Sequence, residues 1–196
     1  MNRKEFLQNC ACAVCPCAMV GLIAPGEAYA AEAKPPEDWR LPFVKKRYAK
    51  LIEILSGKVD DSTLNDILRQ VGYDCASGYS LIQQHKGDVD GFIREFKQKA
   101  NEDITYDRER GIITVVGPER DNCYCPLNDR SVSSGRVCNC SLGWQQCAYE
   151  TLLGRKVEVE LKESVLRGGK RCVFVVRVSD QPAPSRAQQA KTETSK

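Results

Sequence analysis

The chain contains two Cys-x-Cys pairs, Cys123 with Cys125 and Cys138 with Cys140. Twelve residues separate the pairs, so a loop could bring four thiolates to one tetrahedral point, as zinc or an iron–sulfur cluster requires. Each pair encloses one residue rather than the two of a zinc knuckle, so a turn or a distorted strand has to bring its thiols together. The pattern predicts a metal site that uses some of these four cysteines.

Two other kinds of chemistry stay open for the same cysteines. An oxidising destination favours disulfides, which would make this a disulfide-stapled structural or interaction protein. A redox-active or catalytic thiol is the third possibility, and it would make the protein a small hydrolase or a thiol-redox enzyme. The sequence identifies no catalytic residue, so whether the protein is an enzyme stays open.

Single cysteines and aromatic residues surround these pairs. Cys172 and Cys147 suit apolar positions, in a central strand and on a helix respectively. Cys75 lies near a predicted helix start, a position that lowers the pKa of a thiol. We expect a pocket for an apolar small molecule between helices and sheet, with Trp144, Tyr124 and Cys75 among its lining residues.

Composition excludes several classes of function. The 196 residues are 42% hydrophobic and carry a net charge of +3, which fits a globular domain with a sizeable core. No block of Lys and Arg forms a phosphate-binding stripe, so we expect no nucleic-acid partner. The chain has 11 cysteines and one histidine, which excludes a His-rich zinc hydrolase.

Residues 1–30 have the pattern of an export signal. Arg3 and Lys4 precede an apolar run at 10–24, and Ala-Tyr-Ala at 28–30 is a good peptidase site. The start resembles a twin-arginine signal with Lys4 in the place of the second arginine, and a general secretory signal is the alternative. The apolar run is too short for a stable membrane anchor. We therefore predict a periplasmic or extracellular protein that begins at Ala31.

Cleavage after residue 30 would remove four cysteines and leave seven. Because seven is an odd number, at least one thiol must be free, bound to metal or bonded to another chain.

The hydrophobic periodicity divides the remaining chain into a helical half, 31–101, and a sheet half, 102–178. The first helix has one apolar face made of Val44, Tyr48, Leu51, Ile52 and Leu55. A second helix starts at 61–63 and stops at Gly72, a short third covers 75–84, and a fourth starts near Asp88.

The sheet half starts with two strands at 104–107 and 111–116, followed by a cysteine-rich loop at 121–139. A helix at 141–153 and strands near 157–161 and 172–178 complete it, the last strand being central because it is apolar on both faces. Residues 179–196 have the composition of a disordered tail. We predict one α/β domain of the α+β sandwich type, with an N-terminal helical layer packed on a C-terminal antiparallel sheet.

Part of the sheet half resembles the 4-vinyl reductase domain family, which includes hydrocarbon-sensing domains. The resemblance covers 138–178: Cys-Asn-Cys-Ser-Leu-Gly-Trp from Cys138, a helix that ends in Leu-Gly at Gly154, a strand, Gly168-Gly169, and Cys-Val-Phe from Cys172. It implies an α/β sandwich with a buried apolar pocket and, in some members, a structural zinc. Gly-Tyr-Asp-Cys-Ala at 72–76 also resembles the aminothiazoline-carboxylate hydrolase family.

The resemblance places Cys138 and Cys172 on zinc-ligand positions. Ser164 fills the position of a further cysteine ligand and Leu161 that of an acidic ligand, so the family's zinc site is incomplete here. Cys123, Cys125 or Cys140 would have to complete it.

The sequence thus predicts an exported small-molecule-binding module with a structural metal. The expected metal is zinc rather than an iron–sulfur cluster, and its candidate ligands are Cys123, Cys125, Cys138, Cys140 and Cys172.

Overall fold

A computed structural model describes residues 38–183 of the chain. Five α-helices are described: α1 (Arg40–Ser56), α2 (Asp61–Ser77), α3 (Ser80–Gln84), α4 (Val89–Ala100) and α5 (Cys138–Leu153). The predicted export signal lies outside the described residues, as do residues 184–196. Within the described residues, no helix is both long and apolar enough to cross a membrane.

Four strands form one antiparallel sheet. They are β1 (Asp103–Asp107), β2 (Ile112–Val116), β3 (Arg155–Glu163) and β4 (Val173–Pro182). Their order is β1-β2-β4-β3, and every neighbouring pair is antiparallel. The strand predicted to be central is β4, which pairs with β2 on one side and β3 on the other. Helices packed on this antiparallel sheet confirm the predicted fold class.

The main core lies between α3, α4, α5 and one face of the sheet. Phe92 and Phe96 of α4 stack with ring centroids 5.0 Å apart, and Tyr149 of α5 meets Phe92 edge-on. Ile113 of β2 and Val176 of β4 are fully buried beneath them. Apolar and polar residues alternate along the strands. Because successive side chains point to opposite sides of a sheet, the apolar ones share this face.

Helices α2 and α5 pack unusually closely through two glycines. A Cβ added at Gly72 of α2 would lie 1.7 Å from the carbonyl oxygen of Cys140, and one at Gly143 of α5 would lie 1.9 Å from that of Arg69. The prediction that the second helix stops at Gly72 is therefore wrong. Gly72 lies inside α2 because its missing side chain lets the two backbones approach, and α2 continues through Cys75 to Ser77.

The face of α1 predicted to be apolar is only partly covered. Ile52 is buried with Leu64 and Leu68 of α2 in a second, smaller core. Val44 and Leu51 are exposed although they belong to the predicted face. Periodicity shows which residues share a face of a helix, but not how much of that face a neighbour covers.

Other helix and strand boundaries differ by a few residues from those predicted. Asp60, not the 61–63 segment, caps α2 by accepting a hydrogen bond from the Thr63 N–H, and Asp88 caps α4 through the Gly91 N–H. Helix α5 begins at Cys138, three residues before the predicted start. Strand β4 continues to Pro182, where it pairs with Arg155, so the sheet extends four residues beyond the predicted domain end at 178.

Candidate functional site

Residues 117–134 form a long irregular segment between β2 and the 3₁₀ turn that precedes α5; we call it the cysteine segment. Connections of this length without helix or strand are uncommon in compact domains and often functional. After Gly117, Asn128 is the only buried residue in the segment, while Tyr124, Leu127 and Val132 are exposed. Apolar burial therefore contributes little to holding this segment in place.

Polar contacts order the cysteine segment. The Asn122 side-chain oxygen accepts hydrogen bonds from the backbone N–H groups of Cys123 and Arg130, each at 2.8 Å. The Asp129 carboxylate accepts from the hydroxyl and N–H of Ser131, and these bonds lower the pKa of Asp129 to about 2. Lys45 Nζ lies 3.5 Å from the same carboxylate, which attaches the segment to α1.

Asn128 brings a buried polar atom into the segment. Its backbone N–H donates to the Cys125 carbonyl at 3.0 Å. Its side-chain oxygen is buried and has no hydrogen-bond partner among the described residues. A buried acceptor without a partner costs roughly 1–3 kcal/mol, so this side of the segment suits a polar ligand.

The other cysteines of the predicted ligand set come from regular elements or their ends. Cys138 is the first residue of α5, and its Sγ lies 3.0 Å from Oγ of Ser164 in a buried contact. Cys140 lies two residues further on. The carbonyl of Cys172, immediately before β4, accepts a hydrogen bond from the Gly117 N–H at 2.9 Å. The start of the cysteine segment is thereby tied to Cys172.

The thiols around the start of α5 influence one another's protonation. Burial, followed by the nearby thiols of Cys125, Cys75, Cys123 and Cys138, raises the pKa of Cys140 to about 11. Four thiols therefore lie within electrostatic range of the first turn of α5.

The pKa values of two more cysteines follow the same pattern. Burial is the main cause that raises the pKa of Cys123 and of Cys138, and each is also raised by Cys172. Cys172 therefore belongs to the same group of thiols. We call Cys75, Cys123, Cys125, Cys138, Cys140 and Cys172 the thiol cluster.

Within the described residues 38–183, no disulfide joins two of the cysteines. Among these described residues, no three His, Cys, Asp or Glu side chains lie close enough together to hold a metal ion. The thiol cluster is thus a group of neighbours rather than a closed chelate, and the predicted metal ligands stay a prediction. Cys147 is 2% exposed in the main core, which agrees with its interpretation as a small apolar residue.

The residues predicted to line an apolar pocket have different surroundings. Trp144 packs against Phe96 and Tyr79, with ring centroids 5.9 and 6.1 Å apart. Tyr124 is exposed, and the Arg120 guanidinium lies 4.8 Å from its ring centroid. Cys75 is exposed on α2. These three residues stay predictions as ligand contacts.

A cavity of about 330 Å³ opens elsewhere, between the start of α4, the end of β1 and the end of α5. Residues 87–90, Tyr106 with Arg108, and Leu152, Leu153 with Arg155 line it. Its volume is at the lower end of the range of small-molecule sites. Sequence reasoning missed it because its lining comes from three distant stretches, and no motif marks any of them.

No family model and no curated protein matches this chain. Among solved structures, the chain is similar to trafficking protein particle complex subunit 3 from Naegleria fowleri, covalently bound to palmitic acid. The TM-score is 0.47 at 20% identity, over 76% of this chain and 100% of that one. It is also similar to the phenol-responsive sensory domain of the transcription activator PoxR, with TM-score 0.49 at 10% identity, over 78% and 81% of the two chains.

A vinyl-4-reductase family protein from Methanocaldococcus jannaschii is also similar, with a TM-score of 0.34 and 13% identity over 76% of this chain and 99% of that one. These likenesses are weak and concern the fold alone. The 4-vinyl reductase resemblance seen in the sequence therefore stays a resemblance.

Proposed function

We propose that the protein is a small-molecule-binding module in which the thiol cluster takes up a structural zinc ion. The observation that supports the metal is that each of the five predicted ligand cysteines lies within electrostatic range of others in the set. Two of them, Cys138 and Cys172, lie in or beside regular elements, whereas Cys123 and Cys125 belong to the irregular cysteine segment. The proposed site thus combines cysteines held by regular elements with cysteines in an irregular segment. This arrangement allows the site to close when a metal binds.

The physical reason for a metal is the weak hold on the cysteine segment. Polar contacts hold it, but its apolar residues Tyr124, Leu127 and Val132 are exposed, so apolar burial adds little stabilisation. Where the unfolded chain has no preformed site, the free energy of metal binding becomes free energy of folding. Thiolates are the ligands that zinc prefers in structural sites, and the unpartnered Asn128 oxygen lies in the same segment.

Metal uptake requires the thiols to move closer than they lie in the described arrangement, because no three of them now meet at one point. Cys123 and Cys125 are the cysteines that would move, since the segment that carries them has almost no buried apolar side chains. Cys138 and Cys140 stay fixed by the close packing of α5 on α2.

Cobalt(II) titration tests the site directly, because thiolate ligation gives an absorption band in the near ultraviolet. We expect one equivalent of cobalt to saturate the band in the reduced chain that begins at Ala31, and excess zinc to abolish it. Cys138→Ser should remove the band. Cys147→Ser is the matched control: it changes a buried thiol in the main core and should retain it. A band that survives Cys138→Ser, or none in the parent chain, would contradict the proposal.

The cavity beside α4 favours the small-molecule part of the proposal. Leu153 and Tyr106 offer apolar surface at this cavity. Its charged lining has both signs, Asp88 and Asp90 with Arg108 and Arg155, and Arg108 pairs with Asp90. This combination suits a small ring with one polar substituent.

Titration with phenol and with benzoate, followed by amide NMR shifts, tests the cavity. We expect perturbed resonances at 87–90, 106–108 and 152–155, and weaker shifts in Leu153→Trp, which fills the cavity. Shifts centred on Trp144 and Tyr124 instead would support the pocket predicted from the sequence. No shift with either compound would count against ligand binding here.

A further inference from the structure

Helix α1 presents an apolar stripe to solvent. Phe43, Leu51 and Ile54 are 47%, 52% and 50% exposed. At 100° per residue these positions share one side of the helix, while Ile52 on the other side packs into the second core. Trp39, just before the helix, is 68% exposed and contacts Phe43 edge-on at 5.8 Å. The stripe is therefore separate from the surface by which α1 is held to the domain.

Positive charge borders this stripe. Helix α1 contains five basic residues and one acidic residue, whereas α2, of the same length, contains one basic and three acidic residues. The Arg47 guanidinium lies 5.2 Å from the Phe43 ring centroid, so a cation lies within the apolar stripe itself. Lys46 and Lys50 are one turn apart on its flank, and both are exposed; Lys50 Nζ lies 2.7 Å from the Glu53 carboxylate.

We infer that α1 binds reversibly to the surface of a membrane that contains anionic phospholipid. A helix with exposed Trp, Phe and Leu on one side and flanking Lys and Arg lies in the plane of the interface, with its apolar side among the acyl chains and its cations among the headgroups. An exposed apolar stripe alone would also suit a protein partner. The charge of α1 decides in favour of the anionic lipid surface, because each cation near it contributes attraction that a neutral surface does not supply.

The geometry permits this contact without unfolding the domain. Ile52 and its neighbours in the second core keep α1 attached through the opposite side, and Lys45 is directed to Asp129 of the cysteine segment. The inference is independent of the thiol cluster and of any metal.

Vesicle co-sedimentation of the chain that begins at Ala31 tests the inference. This chain keeps every described residue and lacks the apolar run at 10–24, so that run cannot contribute to vesicle binding. We expect binding to phosphatidylglycerol–phosphatidylcholine vesicles, little binding to pure phosphatidylcholine, and release at high salt. Lys46→Gln/Arg47→Gln should weaken the partition coefficient at least about tenfold. Lys86→Gln/Lys156→Gln, which removes the same charge from other exposed positions, should weaken it far less.

A second pair of double variants tests the apolar contribution of α1 to vesicle binding. Leu51→Ser/Ile54→Ser should weaken binding at least about tenfold, whereas Ile67→Ser/Val71→Ser, an exposed apolar pair on α2, should leave it nearly unchanged. Circular dichroism checks that each variant is folded. A blue shift of tryptophan emission on binding should disappear in Trp39→Phe.

Several outcomes would overturn the inference. They are equal binding to neutral vesicles, equal loss in either control pair, or self-association through α1 without vesicle binding.

Discussion

Cys138 and Ser164 are in direct contact, with Sγ and Oγ 3.0 Å apart and both residues buried. Ser164 also caps the 3₁₀ turn Val165–Arg167, because its hydroxyl accepts from the Leu166 N–H. The sequence resemblance places a cysteine ligand where this chain has Ser164, and the contact shows that the two side chains occupy one site. A neutral hydroxyl is a poorer zinc ligand than a thiolate, so any metal here has to recruit Cys-x-Cys thiols.

Replacing Ser164 by Cys should therefore strengthen metal binding. The new thiol lies beside Cys138 and supplies a fixed ligand, so we expect zinc affinity to rise at least about tenfold. Competition with a chromophoric chelator measures it. Ser179→Cys, which adds a thiol on the distant end of β4, is the control and should leave affinity unchanged. Unchanged affinity in Ser164→Cys would mean that zinc does not bind at Cys138.

The contact between α2 and α5 should be intolerant of any side chain at Gly143. An added Cβ would lie 1.9 Å from the Arg69 carbonyl oxygen, so the two backbones would have to separate. We expect Gly143→Ala to lower the free energy of unfolding by roughly 1–3 kcal/mol. Gly57→Ala, where the nearest atom would be 3.7 Å away, should change it by less than about 0.5 kcal/mol. Denaturant unfolding compares them; equal stabilities would contradict this close packing.

The metal-free protein should lose stability in alkaline solution through Cys140. Burial raises its pKa from 9.0 to about 11, so the folded state holds the proton more tightly than the unfolded state. The resulting stabilisation is complete below pH 9 and is lost as the pH rises towards 11. Denaturant unfolding at several pH values measures this slope, which should be shallower in Cys140→Ala. An identical slope in both proteins would rule out Cys140 as its origin.

The predicted export signal gives a separate expectation. Secretion from a native-like host should yield a product whose N-terminus is Ala31, and intact-mass measurement should show the loss of residues 1–30. Substituting Ala28 and Ala30 by bulky residues should block this processing. A full-length product that stays in the cytoplasm would contradict export.

The sequence was most informative where local periodicity decides structure. Alternation predicted the strands, and the apolar character of residues 172–178 on both faces predicted that β4 is central. The end assigned at Gly72 was wrong because a glycine that stops a helix and one that lets two helices touch look alike in a sequence. Only the partner backbone at Cys140 distinguishes them.

The candidate sites likewise include features that local spacing predicts and features that depend on tertiary contacts. The spacing of the Cys-x-Cys pairs predicts a metal site because one loop joins them, and that site stays a prediction. The approach of Cys75 depends on the α2–α5 contact, which is tertiary. The cavity lined by Tyr106, Arg108 and Arg155 depends on how three elements end near one another, and no local pattern encodes that.

The central claim is that the thiol cluster binds a metal ion. Its most direct test is elemental analysis combined with thiol counting on the chain from Ala31, purified without reductant or chelator. We expect one zinc ion per chain, with the ligand thiols becoming reactive only after denaturation in the presence of a chelator. Protein that carries neither zinc nor iron and has three disulfides with one free thiol would contradict the claim, and would establish the disulfide-stapled alternative instead.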